Sequence, residues 1–230
     1  MTTDRAPSDL VCVGGPEAYD AKDDRYFAGA RSDYIAMLPD SAEARILELG
    51  CGNGDTGALA LAKGKCGKYF GVEICERAAL QASPKLTEVI VGDIERIELP
   101  WQDGFFDAMI ISEVLEHLAD PWSVLRRLRP KLRKGARVFS SSPNVSHYSV
   151  ITMLLRGGWD LADKGIMDRT HLRWFTIRTY RKLFEDSGYT VDWAQPLCAL
   201  GPRASVVDRL TFGKIRHLFA QQVSLAARAC

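Results

Sequence analysis

Apolar positions along this chain fall into two rhythms, short runs and helical stripes. Arg45–Leu49 is a short apolar run that stops at a glycine cluster, and Ala58, Leu59, Leu61 and Ala62 then mark a helix over residues 55–63. Lys68–Val72 reads as a second strand closing on an acid, Glu73. A helix over residues 75–82 leads to a third, Val89–Val91, which is followed by another acid, Asp93. Residues 100–104 have turn composition and precede a buried strand at Phe106–Ile111. Asp120 and Pro121 are the residue types of a helix N-cap and first helical position. Trp122, Leu125, Leu128 and Leu132 give that helix its apolar stripe, and Lys134 and Gly135 turn the chain into a fifth strand, Ala136–Ser141. Further on, residues 176–187 read as a helix capped by Thr176 and ended by Gly188. Tyr189–Ala194 is a strand, residues 206–219 a helix and residues 221–228 a last strand.

Strands separated by helices at this spacing predict an α/β fold: a doubly wound, Rossmann-like, seven-stranded and mainly parallel sheet with helices on both faces. The last two strands are close enough in sequence to pair antiparallel. At 230 residues the chain suits a single domain over residues 1–230. Its net charge of +1 counts against an extended nucleic-acid-binding face. No apolar run approaches the roughly 20 residues of a membrane span, and the polar start Met1–Arg5 lacks the apolar segment of a signal peptide. The six cysteines, at 12, 51, 66, 75, 198 and 230, have no CxxC or zinc-ribbon spacing. They read as reduced thiols of a cytoplasmic protein, with Cys51 and Cys75 as packing residues.

Candidate chemistry begins at Glu48–Gly54. Glycines directly after a strand let the backbone approach a ligand and turn into a helix whose first amides face outward, a site equally suited to a carboxylate or a phosphate. The dinucleotide fingerprint GxGxxG would need a glycine at Asp55, which disfavours a nicotinamide or flavin. Acids at the ends of strands two and three fit an adenosine without phosphates, Glu73 for ribose hydroxyls and Asp93 for the adenine amino group.

The run Ile46–Gly54, with Glu73, Val91–Ile94, Phe106 and Asp107, resembles the motif series of class I S-adenosyl-L-methionine-dependent methyltransferases over roughly residues 43–195. That resemblance implies the strand order 3-2-1-4-5-7-6 and a cofactor site at Glu48, Gly50, Cys51, Gly52, Asn53, Gly54, Glu73, Ile74, Asp93, Ile94 and Ser112. Residues 1–42 would be a helical arm or lid and residues 144–175 an acceptor-side insertion.

At the end of strand four, Glu113, Glu116 and His117 are spaced i, i+3 and i+4, one face of a helical turn. Taken singly, each has an ordinary reading: the acids paired with Arg126 or Arg127, His117 as a cap, His171 satisfied by backbone. As a set, Glu113, Glu116, His117 and His171 could hold a divalent cation, Mg²⁺ or Mn²⁺, with Zn²⁺ or Fe²⁺ also accepted by imidazoles. The pattern is similar to that of small-RNA 3′-terminal 2′-O-methyltransferases, in which two Glu and two His hold a metal gripping neighbouring hydroxyls. Glu113–His117 also resembles ubiquinone-pathway O-methyltransferases, and Asp168–Arg173 resembles bacterial sugar- and polysaccharide-pathway enzymes. His117, His171 and His147 are the candidates to take a hydroxyl proton.

The expectation is therefore O-methylation of a sugar, glycoconjugate or other vicinal diol, metal-assisted. Tyr19, Tyr26, Phe27 and Tyr34 in the arm, and Tyr148 and Trp159 in the insertion, would lie against a small-molecule or glycan acceptor. RNA 2′-O-methylation, small-molecule N-methylation and non-catalytic cofactor binding are the alternatives. The basic residues between Arg126 and Arg137 read as a solvated helix face rather than an RNA surface. The protein would be a monomer or a homodimer.

Overall fold

The computed structural model describes residues 19, 22, 26–198 and 201–230. Seven strands form one sheet: β1 Arg45–Leu49, β2 Lys68–Glu73, β3 Glu88–Val91, β4 Phe106–Ser112, β5 Leu132–Pro143, β6 Tyr189–Leu197 and β7 Gln222–Ala229. Their spatial order is β3-β2-β1-β4-β5-β7-β6. The five strands β3 to β5 are parallel, while β7 runs antiparallel to both β5 and β6. The expected α/β architecture and strand order are both present.

The period of two along each strand sorts its side chains onto two faces. Leu47, Leu49, Met109, Ile111 and Val138 face one core. That core is covered by α4 (Pro121–Leu128), through Val124, Leu125 and Leu128, and by α6 (Ile177–Asp186), through Tyr180, Leu183 and Phe184. Ile46, Ala108, Ile110 and Phe139 face a second core beneath α1 (Ser32–Met37), α2 (Asp55–Ala62) and α3 (Glu76–Ala82). Each fully buried Leu or Ile contributes about 1.5–3 kcal/mol, so the two-faced core fixes strand register.

Helix ends follow local chemistry. Asp120 caps α4 by accepting the Ser123 amide hydrogen at 3.0 Å, and Thr176 with Thr179 forms a reciprocal capping box on α6. One helix is shorter than its sequence implies. The single helix expected over residues 206–219 is instead α7 (Pro202–Leu210), then a turn, then a short 3₁₀ segment at Arg216–Phe219. Phe212 and Gly213 adopt left-handed φ values of 52° and 75°. The Gly213 N–H returns to the Asp208 carbonyl, closing the helix end. Strand β5 is longer than expected because its start, Leu132, pairs with Phe106 before an irregularity in register. Within the insertion, α5 (Tyr148–Leu155) follows β5.

Candidate active site

The carboxyl ends of β1, β2 and β4 open into one cavity of about 500 Å³. Ligands of doubly wound sheets bind where neighbouring connections diverge to opposite faces, and this volume lies within the usual range of small-molecule sites.

One half of the cavity is built on backbone. The Gly50 N–H donates to the Val72 carbonyl at 2.8 Å and anchors the loop to β2. Gly50 and Gly52 have φ values of 64° and 54°. A Cβ on Gly52 would lie 2.5 Å from the Phe27 carbonyl oxygen, and one on Gly50 would lie 2.6 Å from a Val114 methyl. These two positions therefore need glycine on grounds of both conformation and space. Glu73 accepts from the Gly52 N–H at 2.8 Å and the Cys75 N–H at 3.0 Å. Burial raises its carboxyl pKa against those bonds. Each carboxylate oxygen keeps a second lone pair for a ligand hydroxyl. Glu48 accepts from the Tyr69 hydroxyl at 3.0 Å, and burial pushes its carboxyl up to about 8. Cys51, Ile74, Asp93, Ile94 and Ser112 also line the cavity.

Two residues expected in this group lie elsewhere. Gly54 is the left-handed residue before α2, with its α-carbon turned towards Ala82 and Leu86 rather than the cavity. Asn53 fastens the loop to the N-terminal segment through its N–H and the Phe27 carbonyl, and it is not among the cavity's walls. The reason is geometric: Asn53 and Gly54 lead the backbone towards α2, which begins at Asp55, and of the glycine loop only Gly50, Cys51 and Gly52 line the opening.

The other half is built on side chains. Past β4 the chain does not continue as an α-helix. Glu113 takes a left-handed φ of 54°, and Leu115–His117 forms a single 3₁₀ turn. The expected i, i+3, i+4 face is therefore absent. Glu113 lines the cavity but stands outside the potential metal-ligand group. That group is Glu116, His117 and His171, whose ligand atoms lie within 4.8 Å of one another. His117 and His171 rings meet edge to face with centroids 4.8 Å apart. His117 Nδ1 lies 3.2 Å from the Thr170 carbonyl oxygen and His171 Nδ1 lies 3.1 Å from that of Ile166. Each carbonyl selects the Nδ1–H tautomer, which leaves Nε2 as a free lone pair. Burial, then its neighbour His171, lowers the His117 pKa to about 4; burial also lowers that of His171.

Glu116 is buried, and neither of its carboxylate oxygens has a hydrogen-bond partner. Burial and the nearby Glu113 charge raise its pKa well above the usual carboxyl range. One Glu113 oxygen is likewise unpartnered. Such groups cost about 1–3 kcal/mol each when nothing compensates them. A cavity wall that sets the two unpartnered oxygens of Glu116 beside two neutral imidazoles could hold a cation.

His147 is not brought to this cavity. It caps α5, with Nδ1 2.7 Å from the Ser149 hydroxyl and 3.3 Å from its backbone nitrogen. Tyr148 and Trp159 of the insertion are exposed, and Trp159 packs edge to face on Trp174. From the arm, Tyr19, Tyr26 and Phe27 do line the site, and Tyr19 stacks edge-on against His117. Tyr34 is instead buried beneath the sheet against Phe139.

Arg31 is a wall residue that sequence patterning missed. Its guanidinium donates to the Ser112 and Ser141 hydroxyls, stacks on the Tyr34 ring and is held by Asp33. Burial works to lower its pKa, but the Asp33 carboxylate more than offsets this, so Arg31 stays charged. Lys22 was missed as well: it binds Asp168, a residue of the cavity wall, at 2.7 Å and so ties the N-terminal segment to the insertion. Both cations sit in a stretch without periodicity, where no sequence signal marks them.

Comparison with known proteins agrees with this geometry. The family described as a methyltransferase domain matches residues 19–193. The 27-O-demethylrifamycin SV methyltransferase of Amycolatopsis mediterranei is 33% identical over 108 residues, which is 44% of this chain and 39% of the relative. A ubiquinone biosynthesis O-methyltransferase of Xanthomonas oryzae pv. oryzae is 30% identical over 122 residues, 50% of this chain and 49% of the relative. The chain spans about half the length of the curated relatives it matches. Among solved structures, an S-adenosylmethionine-dependent methyltransferase from Mesorhizobium loti superposes with a TM-score of 0.61 at 19% identity, covering 87% of this chain and 98% of that one. With the family matched over most of its length, this chain belongs to the class I S-adenosylmethionine-dependent methyltransferases.

Proposed function

We propose that this protein methylates a hydroxyl oxygen of a small neutral acceptor, a sugar, glycoconjugate or other vicinal diol, with a divalent metal at Glu116, His117 and His171. One observation carries the reading. A fully buried carboxylate with no partner faces two neutral imidazoles, in the same cavity as a glycine loop shaped for a cofactor.

The residues present fit S-adenosylmethionine. Arg31 offers its cation to the methionine carboxylate, Glu73 accepts the ribose hydroxyls, and Asp93 with Ile94 receives the adenine. Gly50 and Gly52 supply the close backbone approach, and Glu48, Cys51, Ile74 and Ser112 complete the walls. The cofactor, when bound, supplies an electrophilic sulfonium methyl group. The chain's task is then placement: the acceptor oxygen must stand in line with that methyl, in a site closed to water. Tyr19 and Tyr26 on one side and the loop around Asp168 on the other enclose that space.

A bound divalent cation would polarise the hydroxyl and lower its pKa. His117 suits a ligand better than a base, because an imidazole with a pKa of about 4 is a weak proton acceptor at neutral pH. Glu113 is the better base: burial raises its carboxyl pKa, and one of its oxygens is unpartnered. His147 has no part in this chemistry. The relatives named for O-methylation support an oxygen acceptor. The RNA alternative gains nothing from α4, since Arg126 reaches Ser123 and Arg127 the Ile94 carbonyl.

Calorimetric titration tests the reading. Mn²⁺, Mg²⁺ and Zn²⁺ are titrated into the cofactor-bound protein and its His117→Ala variant, and a panel of vicinal diols is then scored for S-adenosylhomocysteine release. A metal signal that His117→Ala abolishes, with chelator-sensitive turnover of a diol, is the expected result. Glu113→Gln should keep the metal signal and lower turnover by about 10²–10⁴-fold. Cofactor binding with no metal signal would leave a methyltransferase without metal assistance.

A further inference from the structure

The segment between β6 and β7 has a chemistry that the cavity does not use. On α7, Val206, Val207 and Leu210 share one helical face and are 58%, 39% and 74% exposed. Phe212 follows in a left-handed turn at 89% exposure. Arg209 and Lys214 flank this ridge and are both exposed. The one acid between Gly201 and Gln222 is Asp208. It is turned inward, 4% exposed, and neutralised by Arg216 at 2.5 Å. The outer face is therefore apolar and basic, with no exposed carboxylate to oppose it.

We infer that this ridge docks on an anionic lipid surface. An apolar face bordered by Lys and Arg is the composition that lies in a bilayer interface, apolar side chains among the acyl chains and cations at the headgroups. A stable protein interface needs about 800 Å² from each partner, more than four side chains on one short helix and its turn supply. A two-fold pairing of the same ridge would also set Arg209 and Lys214 against their own copies. Strands β5 and β6 are both antiparallel to β7 and so end at the same edge of the sheet. α7 therefore leaves from the edge where the cavity opens, and Gln222, just past this segment, lines that cavity. Docking would place the cavity mouth beside the membrane. The inference is independent of the acceptor and metal proposed above.

Flotation with phosphatidylcholine vesicles, with and without phosphatidylglycerol, tests it on the full chain. The wild type should float with the anionic vesicles and stay behind with the neutral ones. Leu210→Ser with Phe212→Ser should weaken flotation by more than about tenfold, and Arg209→Glu with Lys214→Glu should do likewise. Cofactor affinity and thermal midpoint should stay unchanged in both variants. No flotation of the wild type, or flotation unchanged in both variants, overturns the inference. So does a wild-type dimer in sedimentation equilibrium that the serine variant dissociates without any vesicle binding, which would assign the ridge to a second copy of this chain.

Discussion

The two halves of the cavity are built on opposite principles. On the β1–β2 side, backbone amides satisfy the acids: Gly52 and Cys75 donate to Glu73, and the glycine loop is pinned to Val72. On the β4–β5 side, one buried oxygen of Glu113 and both of Glu116 have no hydrogen-bond partner, and burial holds two imidazoles in the neutral form. The first half is finished without a ligand, whereas the second is stable only at a cost that a bound cation would offset. Polar groups left buried and unpaired are where a fold gives up stability for chemistry.

Breaking the finished half should have the largest effect. Gly52→Val puts a side chain against the Phe27 carbonyl in a left-handed conformation. It should weaken cofactor binding about 100-fold or more, equivalent to ~3 kcal/mol, as calorimetry would read. Equal affinity in the variant would show that the loop does not hold the cofactor.

The unfinished half should respond in the opposite sense. Glu116→Leu removes an unpaired buried carboxyl and should raise metal-free stability by about 1–3 kcal/mol in urea unfolding, while abolishing metal binding. A loss of stability would mean that Glu116 already has compensation.

Titration sharpens the contrast. Glu48 has its carboxyl raised to about 8 in the folded state, so the native protein binds more protons than the unfolded chain between the ordinary carboxyl range and pH 8. Its contribution is therefore full at low pH and is lost as pH rises through that window, by at most about 1.4 kcal/mol per pH unit. Glu48→Gln should flatten this slope in a series of unfolding curves. His117, lowered to about 4, acts with the opposite sign: its contribution is present above pH 6.5 and lost on acidification towards pH 4. The smallest effect is expected outside both halves. His147→Ala should leave turnover unchanged and cost about 1 kcal/mol or less as a lost helix cap; a large loss of activity would return His147 to the site.

Much of the first half was legible in the sequence because its determinants are local. A strand, a glycine turn and an acid at the next strand's end are contiguous signals, and Glu48, Gly50, Gly52, Glu73 and Asp93 all reach the cavity. The second half was read less well. Glu113 was expected on a helical face with Glu116 and His117, but a left-handed residue and a 3₁₀ turn replaced that helix. His147 was expected at the acceptor and became a cap.

The sequence by itself determined the strands, the helices and the glycine loop, since hydrophobic period and turn residues act within a few positions of one another, while the strand order followed from the resemblance to the methyltransferase family. Only the tertiary structure decided which polar residues meet. Arg31 reaches Ser112 and Ser141, Lys22 reaches Asp168, and His171 reaches His117 across more than fifty residues. Their convergence depends on where separate connections leave one edge of the sheet, and periodicity along the chain carries no record of it.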